Sequence, residues 1–102
     1  MLVREDLSPA QQLVQAVHAA HEAGLRFGDR HQISSAVICS VPDEKSLLRS
    51  KEEVTLQGIG GCLFHEPDLD GQATAFSTEP ILGSQRRAMR KYPLWKPERL
   101  QV

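Results

Sequence analysis

A helix whose first turn is spelled out residue by residue follows four residues behind an apolar strand end, and this juxtaposition narrows the folds open to the chain. Leu2-Val3-Arg4 reads as the end of a strand. Ser8 suits a helix cap, Pro9 the first helical position, where a missing N–H costs nothing, and Gln11 stands three residues after the cap, able to reach back to it. From there Ala10, Leu13, Val14, Val17, Ala20 and Gly24 recur at helical spacing and predict one buried stripe. Gln11, Gln15, His18 and Glu22 follow on an adjacent polar row. The small residues Ala16, Ala19, Ala20 and Ala23 let another backbone approach closely. Gly24 predicts the helix stop, and Leu25 to Arg30 a connector.

The remainder continues the alternation of strand and helix. Ile33 to Val41 has the apolar run of a buried strand, ended by Pro42. Asp43 predicts the cap of a second helix reaching about Gln57, with Leu47, Leu48, Val54 and Leu56 as its apolar contacts and Gly58 as its stop. Ile59 to His65 reads as a third strand, Glu66 to Gly71 as a turn rich in Pro, Asp and Gly, and Ala73 to Glu79 as a fourth strand paired with the third. Pro80 closes it. A helical turn or loop follows, pinned by Met89, Tyr92, Leu94 and Trp95. This order predicts an α/β fold, a small mixed four-stranded sheet with helices packed on its faces. A length of 102 residues predicts a single domain over residues 1–102.

Composition matters where it excludes partners. No apolar run approaches the roughly 20 residues of a membrane span, and the first residues lack a basic-then-apolar signal pattern, so the expectation is a cytoplasmic protein without a membrane partner. Cys39 and Cys62 lie in apolar β-rich runs and read as small buried hydrophobes. The net charge is −1, yet six of the twelve Lys and Arg residues fall between Arg86 and Arg99, opposed only by Glu98. Arg86, Arg87, Arg90 and Lys91 thus belong to a basic segment, about residues 84–99, able to attract phosphates.

Taken together, these motifs resemble the second family of peptidyl-tRNA hydrolases, small α/β enzymes of archaea and eukaryotes with divergent bacterial relatives. Asp6-Leu7 stand at the start of the first family motif, Gln15 matches its glutamine, and His18-Ala19-Ala20 match the histidine and small residues that follow. Its catalytic lysine falls at Gln11. Farther on, Thr74 takes the place of the threonine that opens the last strand, counted back from Pro80, and Asp68 stands for the aspartate of an acidic motif at a strand end. The likeness runs from about Leu2 to about Ile81. It implies hydrolysis of the ester between a peptide and the 3′ end of tRNA, with tRNA as partner, no cofactor and a possible homodimer. Asp68, Thr74 and Gln11 are the implied catalytic positions. Gln15, His18, Arg86, Arg87, Arg90 and Lys91 are the implied substrate contacts.

The chemistry requires a group to take a proton from water and donors for the developing oxyanion, roles open to Asp68 and to Thr74. The same residues have plainer accounts: Asp68 and Asp70 suit a Pro-Gly turn, Gln15 a hydrogen bond to a loop, Thr74 a strand and the basic run a solvated surface. His18, His21 and Glu22 lack the i, i+4 histidine pair of the helical zinc motif, so no metal site is expected. Gln11 in place of lysine opens an alternative, a catalytically inactive RNA- or protein-binding module that retains the fold.

Overall fold

In the computed structural model, which describes residues 1–29, 31 and 35–96, each expected helix starts where its cap places it. The elements are β1 (Leu2–Arg4), α1 (Pro9–Phe27), β2 (Cys39–Val41), α2 (Glu44–Leu56), β3 (Gly61–Glu66) and β4 (Gln72–Thr78). Short 3-10 segments occupy Pro67–Leu69 and Gly83–Met89. Ser8 Oγ accepts from the Gln11 backbone N–H at 3.2 Å, and Asp43 Oδ1 accepts from that of Ser46 at 2.8 Å. Each bond satisfies a donor that the first helical turn would otherwise leave free.

The sheet order is β2-β1-β4-β3. β1 and β2 are parallel, while β4 runs antiparallel to both β1 and β3, so β3 points the same way as β1. The carboxyl ends of β1, β2 and β3 therefore meet at one edge. The protein is an α/β domain with a mixed four-stranded sheet, and its helices cover both faces.

Those faces are built differently. On one, Leu2, Cys39, Val41, Ala73 and Phe76 pack with Leu47 and Val54 of α2, Ile59 and Ala88, with Leu63, Ile81, Met89 and Tyr92 at the margin. This side holds the large apolar groups. On the other, Val3 and Ala75 meet Ala16 and Ala19 of α1, with Met1, Ile38 and Phe64 at the margin. Gly61 is required for the first packing, because a Cβ there would stand 2.6 Å from the Phe76 ring and 2.7 Å from the Ser77 carbonyl oxygen.

Several local expectations are corrected. The buried stripe of α1 is Gln12, Gln15, Ala16, Ala19 and Ala23, whereas Leu13, Val14 and Val17 are 54%, 43% and 66% exposed. The helix sits with its alanines against the sheet, where small side chains allow close approach, and its two buried glutamines have hydrogen-bond partners that offset their desolvation. Gly24 does not end α1, which runs on to Phe27, the Gly28 N–H bonding back to the Gly24 carbonyl. A glycine inside a helix costs only about 1 kcal/mol, too little to stop a helix already packed on a sheet. The strand expected from Ile33 is confined to Cys39–Val41 among the described residues, and residues 32–34 lie outside them. In α2, Leu47 and Val54 are buried but Leu48 and Leu56 are exposed.

The expected pinning after Pro80 is partly met. Met89 and Tyr92 pack on the apolar face, and Leu94 bridges to Cys39 although its side chain is exposed. The Trp95 indole N–H donates to Gln12 Oε1 at 2.7 Å. Residues 97–102, which include part of the basic segment, lie outside the described residues. Both cysteines are free and buried. No helix among the described residues is long and apolar enough to cross a membrane.

Candidate functional site

The polar row of α1 lies against the β3–β4 hairpin at the edge where β3 ends. Gln15 is its centre and is fully buried. Its Nε2 donates to Gln11 Oε1 at 2.9 Å and to Glu66 Oε1 at 2.8 Å, and its Oε1 accepts from Thr74 Oγ1 at 2.7 Å. Both amide hydrogens and one oxygen lone pair are thus engaged, which fixes which way the amide faces. Gln11 departs from its expected part. Its side-chain oxygen turns along the helix to Gln15, one turn on, while Ser8 serves as cap by itself.

Thr74 reaches this network through a β-bulge. Phe64 pairs with Ala75 and His65 with Ala73, so Thr74 is the extra residue of β4. Strict alternation would send Thr74 and Ala75 to opposite faces. The bulge re-aims the threonine hydroxyl toward α1. The hydroxyl is also 3.4 Å from the Phe64 carbonyl oxygen.

The carboxylate in this site is Glu66, the last residue of β3, and not Asp68. Asp68 is exposed, and its backbone N–H donates to Glu66 Oε2 at 3.2 Å. The 3-10 segment beginning at Pro67 uses Glu66 as its cap and carries the Asp68 side chain outward. The Gln15 amide and the Asp68 N–H, followed by the charge of a protonated His18, hold the Glu66 carboxyl below its usual range. Glu66 and Phe64 are the residues that sequence reasoning missed. The available signal was position: the resemblance places its carboxylate at a strand end, and Pro67 bars β3 from continuing past Glu66.

His18 completes the rim. Its ring stacks on Phe64, with centroids 4.7 Å apart and planes 17° from parallel, and its Nε2 is 3.9 Å from Glu66 Oε1. Among the described residues no Lys or Arg comes within 4.0 Å of Glu66. Arg4 is committed elsewhere, to both carboxylate oxygens of Asp6 at 2.9 Å, to Gln72 Oε1 at 2.8 Å and to the Ala73 carbonyl at 3.0 Å. Arg26 bonds Cys62 Sγ at 3.4 Å and lies over the Phe27 ring.

The basic run does not join the site. Arg86, Arg87, Arg90 and Lys91 are exposed beside Ala88, whose side chain is buried in the apolar face opposite α1. Lys91 Nζ pairs with Glu53 of α2 at 2.6 Å. Arg86 and Arg90 border a cavity of about 830 Å³ that also touches Phe27, Ile81 and Met89, toward the end of α1 away from Gln11. Among the described residues no three His, Cys, Asp or Glu side chains gather to hold a metal ion.

The chemistry open to the cleft follows from which groups remain uncommitted. Glu66 is a carboxylate with an imidazole nearby. Among the described residues the Gln11 amide nitrogen has no acceptor, and it can donate to an oxygen of a ligand. The Thr74 proton is engaged by Gln15, so Thr74 positions that amide and does not face an oxyanion. No family model matches the chain, and no curated protein matches it.

Proposed function

We propose that the chain is a peptidyl-tRNA hydrolase-like protein whose cleft, formed by Gln11, Gln15, His18, Glu66 and Thr74, receives the ester that joins a peptide to the 3′ end of tRNA. One observation carries this reading. The buried Gln15 amide ties Thr74 of β4, the threonine that the resemblance marks, to a carboxylate at the end of β3, Glu66, two residues before the Asp68 that the resemblance marks. Glu66 orients a water and accepts its proton, His18 relays that proton from the rim, and the Gln11 amide faces the oxyanion. Because hydrogen bonds hold the Glu66 carboxyl low, it is a weak base, and turnover is slow.

The absence of a Lys or Arg beside Glu66 among the described residues favours a second reading, a module that binds the same RNA end without cleaving it. Release of peptide from peptidyl-tRNA separates the two. For a hydrolase, the wild type releases peptide and Glu66→Gln reduces the rate by roughly 10²-fold or more, the scale of a lost general base. If the wild type binds tRNA in a salt-sensitive manner without releasing peptide, and Gln11→Lys introduces release, the binding module is the correct reading. Neither binding nor release in either form removes both.

A further inference from the structure

The two edges of the sheet are finished differently. The outer edge of β2 is covered by the chain itself: the Ser40 N–H donates to the Pro93 carbonyl at 3.0 Å, the Trp95 N–H donates to the Ile38 carbonyl at 2.7 Å, and Leu94 bridges to Cys39. The outer edge of β3 has no such cover among the described residues. Which of its groups point outward follows from the ladder. The Glu79 N–H donates to the Gly60 carbonyl at 2.8 Å, and in an antiparallel pair the residues that bond across recur at every second position, so Cys62 and Phe64 face β4. The N–H and C=O groups of Gly61, Leu63 and His65 therefore face away from the sheet. Such an edge is a template for a further strand, and proteins ordinarily guard it with Pro, Lys or a bulge on the edge strand itself. Gly61 to Glu66 holds neither Pro nor Lys, and the extra residue of the bulge, Thr74, belongs to β4.

We propose that this edge receives the peptide part of the substrate as an added strand, parallel to β3, an inference that rests on reading the cleft as the site of a peptidyl-tRNA ester. Position and direction select the occupant. β3 ends at Glu66, the carboxylate of the cleft, and His18 stands at the rim with its Nε2 3.9 Å from that carboxylate. The scissile carbonyl belongs to the last residue of the peptide, so a peptide that presents it to Glu66 has its carboxyl end where β3 has its own. It then runs alongside β3 in the same direction. β3 has six residues. Such a strand is about 20 Å long, and its three outward residues engage about the last four residues of an extended peptide. Strand addition takes its affinity from main-chain hydrogen bonds, which every residue except proline can supply, and so suits a substrate whose peptide varies in sequence.

Affinity for tRNA carrying a peptide through an amide link, which is not hydrolysed on the timescale of binding, tests the proposal. The probes carry an acetylated single amino acid or an acetylated tetrapeptide. The tetrapeptide is expected to bind roughly ten-fold more tightly, the scale of a few net hydrogen bonds. A strand lends only every second residue to one neighbour, so N-methylation of one alternate set of its amides removes the gain and methylation of the other set does not. A merely sticky surface shows no such parity. His65→Pro removes an outward N–H at an edge position, where proline is tolerated, and is expected to abolish the gain while the single amino acid binds as to wild type. Affinity that is independent of peptide length, or weakened alike by both methylation patterns, overturns the edge proposal and leaves the reading of the cleft standing. If no probe binds, the reading of the cleft falls and the edge proposal with it. Protection of the Leu63 and His65 amides from hydrogen exchange by a second copy of the chain, without peptide, also overturns the proposal.

Discussion

The two faces of the sheet are held by different means. Beneath α2 the packing is made of Leu2, Phe76, Leu47, Val54 and Ile59, all without hydrogen-bonding side chains and all at most 1% exposed. Beneath α1 the apolar contacts are small, and the largest wholly buried side chain there is an amide, Gln15. An apolar core tolerates substitutions of similar volume, whereas a buried amide holds only if each of its partners is in place. Stability is therefore concentrated under α2 and specific geometry under α1. A cleft needs that geometry to hold a carboxylate at a fixed place.

This contrast can be broken from either side. The largest effect is expected from Phe76→Ala, which empties the centre of the apolar face and should cost about 3–5 kcal/mol, measured by urea denaturation. If the polar face alone sustained the fold, the loss would be small. Gln15→Ala should cost less, about 1–3 kcal/mol, because it leaves the buried Thr74 hydroxyl with only the long contact to the Phe64 carbonyl and removes a donor from Glu66. It should disturb the cleft more than its stability cost suggests, visible as altered amide resonances of Glu66 and Asp68 beside an unperturbed α2.

The smallest effect is one of pH. The Glu66 carboxyl is held below its usual range in the folded protein, so its contribution to stability is present above the unfolded value of about 4.3 and is lost as pH falls through the lower folded value. Asp43 and Glu53, held low by Ser46 and Lys91 respectively, act in the same direction. The stability difference between wild type and Glu66→Gln should therefore narrow on acidification from neutral pH. A constant gap would mean that Glu66 is not engaged as a carboxylate.

How much of this was legible in the sequence depended on the range of the interaction. The caps at Ser8 and Asp43 are local and were readable, as were the order of the elements and the meeting of Gln15 with Thr74. The choice of buried face on α1 was not. A hydrophobic pattern treats Leu13 and Val17 as inward because they are apolar, but the sheet beneath α1 admits only alanine-sized groups and supplies partners for Gln12 and Gln15. That is a property of the opposing surface. The bulge at Thr74 likewise arises from the pairing of two strands, and the substitution of Glu66 for Asp68 in the cleft follows from where β3 stops. The basic run, expected as a segment able to attract phosphates, lies apart from the cleft because Ala88 anchors it in the apolar packing.

The bond from the Trp95 indole to Gln12 ties the far end of the described chain to the first turns of α1, where Gln12 also donates to the Glu5 and Leu7 carbonyls. Trp95 is the sole tryptophan. Its fluorescence is therefore an intrinsic optical reporter of the start of α1, read without an added dye.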